Sequence, residues 1–240
     1  MPFKAPNKSA EAVPPIMLGG KKSDLAYGAL KRAIMLRKFE PGQQIREQTI
    51  AAEFQCSQST VREALINLSK DGLVNRTGYH GTHVTDTSLE EATALVRVRL
   101  SIERSVAAQL HRRGSLDLVQ VNGILTAMDE THAAGDLYQC SELDREFHAQ
   151  LAIIAGMGQL APVLQRCALH IHRFTLGSVE VPRHFFQESG VGEEHRELLK
   201  TLCEGTPDQC ENALPQHLAS VLQRWAPSLY HAVGADQFQA

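Results

Sequence analysis

The stretch FEPGQQIREQTIAAEFQCSQSTVREALINLSKDGLVNRTGYHGTHV, residues 39–84, decides the fold of the first part of the chain. Its centre predicts a helix that begins near Ser57, because apolar residues recur there at the i, i+3, i+4, i+7 spacing of an amphipathic helix. Two further helices are predicted before it, one over roughly 23–36 and a short one around 50–54. The apolar residues of the third helix are Val61, Ala64, Leu65 and Leu68.

A hairpin is predicted after the third helix, with strands over residues 73–76 and 82–84. Polar side chains cluster at the start of that helix, where free backbone N–H groups can bind phosphates while Gln58 and Arg62 reach base edges. Residues 1–84 carry 12 Lys and Arg against 7 Asp and Glu, whereas the remainder carries 12 against 20. The excess of basic side chains in residues 1–84 suggests that this part of the chain binds a polyanion. An ordinary three-helix bundle with a hairpin fits the helix pattern equally well.

The same stretch resembles the winged-helix DNA-binding domain of the GntR family of transcriptional regulators. The resemblance implies that the helix and its surroundings contact DNA, with a wing hairpin beside them. The family usually has Arg where this chain has Gln58, and Gln pairs better with adenine than with guanine, so we expect a different base at that operator position. The hallmarks are Pro41-Gly42, Ile45-Arg46-Glu47, Val61-Arg62-Glu63-Ala64-Leu65, Gly72-Leu73-Val74 and Gly81. The implied DNA-contacting residues are Arg46, Ser57, Gln58, Ser59, Thr60 and Arg62, with His80 and Gly81 in the wing.

The rest of the chain shows helical periodicity as far as about Trp225 and no convincing alternation of strand residues. Ser88-x-x-Glu91 spells a capping box that opens the first of about six or seven helices. The predicted fold class is mainly α, with an N-terminal winged helix-turn-helix followed by an all-α antiparallel helical bundle. We expect a flexible tail over 1–22, the DNA-binding domain over 23–85, the ligand-binding and dimerisation domain over 88–226, and a C-terminal tail over 227–240.

Four polar residues of the bundle fall on apolar helix faces, namely Asp144, His148, His195 and His217. Asp144 and His148 are four residues apart and therefore neighbours on one face. A buried charge is costly unless it is paired, and a metal ion would compensate all four groups together. Any one inward histidine, taken singly, is more often a hydrogen-bonded core residue than a ligand.

The segments ELDREFHAQLAIIAG, EEHRELLKTL and LPQHLASVL resemble the FCD ligand-binding domain of FadR-type regulators. The resemblance implies that Asp144, His148, His195 and His217 hold a divalent metal ion, and such ligands suit Zn, Ni, Mn or Fe alike. Arg99-x-x-x-Glu103 matches an Arg and a Glu in the family's first sensor helix. A structural i, i+4 pair and an Arg99 that binds an effector carboxylate are both open interpretations.

We therefore expect a homodimeric transcriptional regulator and not an enzyme. It would act as a repressor at a palindromic operator in double-stranded DNA and respond to a small organic acid bound near the metal. Five cysteines without a C-x-x-C pair indicate a reducing cytoplasm, and no apolar run reaches the roughly 20 residues that span a membrane.

Two alternatives stay open. In a metal-dependent hydrolase the site would activate water. However, no additional inward carboxylate lies at a clear general-base position, and a hydrolase would leave the N-terminal helix-turn-helix domain without a role. In a DNA-binding protein with a purely structural metal or polar core, metal and small acids would leave operator affinity unchanged.

Overall fold

The structure is a computed structural model that describes residues 21–77, 81–114, 116–177 and 190–239. The chain divides into two compact units between Asp86 and Thr87. Residues 1–20 of the expected N-terminal tail lie outside the described residues. No helix among the described residues is both long enough and apolar enough to cross a membrane.

The first unit contains three helices and a small sheet. All three strands are antiparallel, and β3 is central: its His83 pairs with Gln44 of β1, and its Val84 pairs with Val74 of β2. The strand β1 was not predicted, because its two residues are too few for an alternating pattern to show. The elements are α1 (Lys22–Met35), β1 (Gln44–Ile45), α2 (Glu47–Glu53), α3 (Gln58–Lys70), β2 (Val74–Thr77) and β3 (Gly81–Val84).

Helix α3 is held by its apolar face and by both of its ends. All four predicted apolar residues, Val61, Ala64, Leu65 and Leu68, are fully buried, and the helix packs against α1 and α2. The Ser57 side chain caps the N-terminus by accepting a hydrogen bond from the Thr60 N–H at 3.1 Å. Gly72, with φ +78°, follows the C-terminus in the left-handed conformation that favours glycine. The buried face fixes which side of α3 remains exposed.

In its described residues the second unit is entirely helical, as predicted. The Ser88 side chain caps α4 by accepting a hydrogen bond from the Glu91 N–H at 3.1 Å. Helix α4 packs against α7 and α9, and α6 packs against both α5 and α7. The helices are α4 (Leu89–Arg113), α5 (Val119–Ala133), α6 (Leu137–Ile154), α7 (Ala161–Gly177), α8 (Val191–Glu204), α9 (Pro207–Trp225) and α10 (Pro227–Val233).

The interpretation of residues 227–240 as a C-terminal tail is wrong for the described part of that segment. Pro227 occupies the first turn of α10, where its missing N–H costs no hydrogen bond. Leu229, Val233 and Phe238 are buried in a hydrophobic cluster with residues of α4 and α9. The segment is therefore part of the folded unit.

Candidate functional site

The start of α3 presents a polar surface. Gln58 and Ser59 are exposed, and the Ser57 hydroxyl lies 2.8 Å from those of both Ser59 and Thr60. Backbone N–H groups of a first helical turn lack helical acceptors and carry partial positive charge. Together they form a surface that can donate hydrogen bonds to phosphate oxygens.

Arg62 lies on the same exposed side but already has a partner. Its Nη2 donates to Glu47 Oε2 at 2.7 Å, and its Nε lies 3.1 and 3.2 Å from the two oxygens of the same carboxylate. Arg76 Nη2 approaches this carboxylate at 3.8 Å. Glu47, which sequence reasoning named only as part of a motif, therefore orients the Arg62 guanidinium.

The remaining residues expected to contact DNA lie in two places. Arg46 is exposed directly before α2. Gly81 begins β3 with φ +83°, a conformation that favours glycine. A Cβ atom there would come within 2.9 Å of Gln44 Nε2, a contact that the flexible, exposed Gln44 side chain can relieve. His80 lies outside the described residues.

The structure brings Asp144 and His148 of α6 together with His195 of α8 and His217 of α9. One potential ligand atom from each residue lies within 4.8 Å of those of the others. His148 and His195 are buried, and Asp144 and His217 are partly buried. Helix α6 and the two consecutive helices α8 and α9 thus converge on one cluster of a carboxylate and three imidazoles.

Hydrogen bonding around His195 indicates that the cluster needs a positive charge. The Nδ1 atom lies 2.7 Å from the carbonyl oxygen of Val191, which can only accept, so Nδ1 carries the proton. In a neutral ring Nε2 is then an acceptor, yet it lies 3.0 Å from Asp144 Oδ1, which is also an acceptor. Either a second proton on the ring or a metal ion bound by both atoms resolves this contact.

His148 is oriented by a chain of contacts that runs back to α4. Its Nδ1 lies 2.9 Å from Glu103 Oε1, and Arg99 Nε donates to the same carboxylate oxygen at 2.8 Å. Both Arg99 and Glu103 are almost completely buried. With the proton of His148 on Nδ1, its Nε2 lone pair faces the cluster, as in histidine ligands that are backed by a carboxylate.

Unpartnered atoms supply the test of whether a metal ion fits. The Nε2 atoms of His148 and His217 are buried without a hydrogen-bond partner among the described residues. Buried polar nitrogen atoms normally have partners, because losing hydration without one is costly. A cation bound by these atoms would remove that cost, so the donor set fits a divalent metal.

The protonation states suit the same role. Burial raises the pKa of the Asp144 carboxyl, but His148, with His172 and His195 within hydrogen-bonding distance, more than offsets this and holds the pKa well below its usual range. Burial, reinforced by His195 and His148, holds the pKa of His217 well below that of a free imidazole. At neutral pH Asp144 is therefore ionised and His217 is neutral, as metal binding requires.

Sequence reasoning missed two residues beside the cluster. The sequence predicted Glu103 as a partner of Arg99, but it did not predict that the Glu103 carboxylate points inward and contacts His148. Glu103 is thus an additional inward carboxylate beside the cluster. His172 of α7, which was not among the predicted site residues, places its Nε2 atom 3.1 Å from Asp144 Oδ2. Its signal was its position three and four residues after Leu169 and Ala168, which are buried on the same face of α7.

A cleft between α8 and α9, with a volume of about 1200 Å³, includes His217 in its lining. Arg224 Nη1 donates to Glu194 Oε1 at 2.6 Å and so links the two helices within that lining. The cleft connects one member of the cluster to the surface of the unit.

Comparison with known proteins assigns both units. Residues 22–84 match the family described as "Bacterial regulatory proteins, gntR family", and residues 94–220 match the FCD domain. The chain is 27% identical over 192 residues to a probable D-xylose utilization operon transcriptional repressor of Paenarthrobacter nicotinovorans, covering 78% of this chain and 81% of the relative. It is 28% identical over 207 residues to the HTH-type transcriptional regulator LutR of Bacillus subtilis, covering 77% and 92%.

A solved structure supports the fold. The E. coli protein McbR/YncC aligns with a TM-score of 0.67 at 17% sequence identity, covering 89% of this chain and 99% of that one. Since the FCD match alone spans more than half of the sequence, and the relatives are named as regulators of transcription and not as enzymes, the family is established. The chain belongs to the GntR family of bacterial transcriptional regulators and carries an FCD domain after its winged helix-turn-helix.

Proposed function

We propose that this regulator is a homodimeric repressor in the cytoplasm whose affinity for a palindromic operator is controlled by a small organic acid. The acid would bind beside a divalent metal ion held by Asp144, His148, His195 and His217. The observation that carries the proposal is the convergence of these four donor groups, with unpartnered buried nitrogen atoms among them.

The DNA-binding part of the proposal rests on the exposed polar start of α3. Ser57, Ser59 and Thr60 suit phosphate oxygens, whereas Gln58 and Arg62 have the reach and the donors for base edges. A dimer would place two α3 helices about one turn of DNA apart. Selection of bound fragments from genomic DNA, followed by binding measurements with Arg62→Ala, tests this part; undiminished affinity of the variant would contradict it.

The metal would supply positions at which oxygen atoms of an acid can bind. Nitrogen and carboxylate ligands of this kind suit Zn, Ni, Mn or Fe. The residues of this chain hold the ion, and the Glu103 carboxylate keeps the His148 ring in the orientation that binding needs.

Arg99 is the candidate contact for the carboxylate of the effector. Its Nη2 lies 3.9 Å from Asp144 Oδ2 while its Nε is used by Glu103, so part of the guanidinium faces the cluster. A planar guanidinium with free N–H groups can bind a carboxylate beside the metal. The structural pair with Glu103 and a role in effector binding are therefore compatible.

The proposal is tested by screening metal-loaded protein against small organic acids for thermal stabilisation, followed by operator-binding measurements with each acid that stabilises it. A ligand of the native state must raise the melting temperature. If no acid both stabilises the protein and changes operator affinity, effector control is excluded. The alternative of a purely structural metal would then be favoured.

A further inference from the structure

The two oxygen atoms of the Asp144 carboxylate face different partners. Oδ1 lies 3.0 Å from His195 Nε2 and 3.7 Å from His148 Nε2, so it faces the other members of the candidate metal cluster. Oδ2 lies 3.1 Å from Nε2 of His172, which is not a member of that cluster. The carboxylate therefore offers one oxygen to the cluster and the other to α7.

His172 is well placed to hold Oδ2. Its side chain is 11% exposed, and α7 packs against both α4 and α6. Its other nitrogen, Nδ1, and Asp144 Oδ2 are both buried without an aligned hydrogen bond among the described residues, so no competing bond prevents the ring from turning its Nε2–H group onto Oδ2. Arg99 Nη2, 3.9 Å from Oδ2, adds positive charge on the same side.

We propose that His172 is a positioning residue that keeps Asp144 a one-oxygen ligand and thereby reserves room on the metal for a chelating acid. The inference rests on the proposed function, because it assumes that the cluster holds a metal ion and that the ion accepts an acid.

The chemical consequence concerns the number of positions left for the effector. Carboxylates bind metal ions through either one oxygen or two. With four donor atoms from the protein, an ion that prefers six ligands keeps two positions. Those two accept the carboxylate and hydroxyl oxygens of a 2-hydroxy acid. If Oδ2 also bound the ion, only one position would remain, and the advantage of a chelating acid over a simple one would disappear.

Two substitutions at one position separate the N–H donor from the bulk of the ring. His172→Phe retains a ring but removes the Nε2–H group that can donate to Oδ2, whereas His172→Gln retains an N–H donor. His170→Phe is the matched control, because His170 lies two residues away on α7 and its Nδ1 lies 3.4 Å from the Thr87 hydroxyl. If His172→Phe fails to fold, His172→Ala removes the same donor without a bulky ring.

The probes are Mn²⁺, glycolate as the chelating acid and acetate as its counterpart without a hydroxyl. Proton relaxation counts the waters bound to Mn²⁺, and calorimetry measures the affinity of each acid. In wild type and His170→Phe we expect about two bound waters and a preference for glycolate. In His172→Phe we expect about one water and a loss of glycolate affinity of about tenfold or more, with acetate nearly unchanged and with recovery in His172→Gln.

The failures are distinguishable. A His172→Phe protein that keeps two waters and its full glycolate preference would overturn the role of His172 and leave the proposed function standing. A wild-type protein that takes up no Mn²⁺, Zn²⁺, Ni²⁺ or Fe²⁺ would overturn both the metal site and the role assigned to His172.

Discussion

Substitution of His217 should weaken metal binding while leaving the stability of the metal-free helical unit nearly unchanged. The Nε2 atom of His217 is buried without a partner in the described structure, and burying such a group costs about 1–3 kcal/mol. His217→Ala removes that cost together with some packing, so without metal we expect a change in unfolding free energy within about 1 kcal/mol. The substitution should therefore have little effect until metal is added.

The increase in melting temperature caused by metal follows from the free energy that a bound ligand adds to the native state. A metal ion present at about 100 times its dissociation constant stabilises the native state by about 2.7 kcal/mol. For a domain of about 150 residues, each kcal/mol shifts the melting temperature by about 2–4 °C, which gives about 5–11 °C for wild type. His217→Ala lacks one of the four ligands, so we expect most of this shift to be lost.

The assay is differential scanning calorimetry of both proteins with a chelator and with a few equivalents of Zn²⁺. His111→Ala is the control, since His111 is an exposed histidine of the same unit that does not belong to the cluster. It should keep the full metal-induced shift. The reasoning is refuted if His217→Ala is stabilised by metal as strongly as wild type.

Three further predictions concern the DNA surface and pH. On unrelated DNA no matching base edge binds Arg62, so its guanidinium is available for phosphate. Glu47→Gln frees Arg62 from its ion pair, and the salt dependence of this non-specific binding should therefore steepen by about 0.9 in the log–log slope; an unchanged slope would mean that Arg62 does not reach phosphate. Gln58→Arg should move base preference from adenine toward guanine in a binding-site selection, and an unchanged preference would exclude a base contact at this position. Without metal, the unfolding free energy of wild type should fall more steeply than that of His217→Ala as pH drops below about 6.5, because the unfolded imidazole then binds a proton while the pKa of buried His217 stays depressed. Calorimetry of both metal-free proteins at several pH values measures this, and the same pH dependence in the two would show that His217 is not buried in its neutral form.

Local periodicity was sufficient to predict α3 and its buried face. Every apolar residue expected to turn inward does so, because Val61, Ala64, Leu65 and Leu68 repeat at the spacing of one helical face. The strand β1 carries no such signal, since two residues cannot show alternation. Pairing with β3 is a tertiary contact that the local sequence does not encode.

The candidate metal cluster was predictable in its members but not in its surroundings. Asp144 and His148 lie four apart on one helix, and the FCD resemblance pointed to the two histidines on later helices. That Glu103 supports His148 and that His172 supports Asp144 depends on how α4 and α7 pack against α6. Such packing between distant segments has no local signature in a single sequence.

The central claim is that the metal cluster controls binding of the operator. Fluorescence anisotropy of a labelled operator duplex tests it most directly, using Zn²⁺-loaded wild type and His148→Ala with and without the acid that gives the largest thermal stabilisation. We expect the acid to weaken operator binding by wild type by at least about fivefold, as coupling of about 1 kcal/mol or more requires, and to leave His148→Ala unaffected. Equal operator affinity of wild type with and without the acid would contradict the claim.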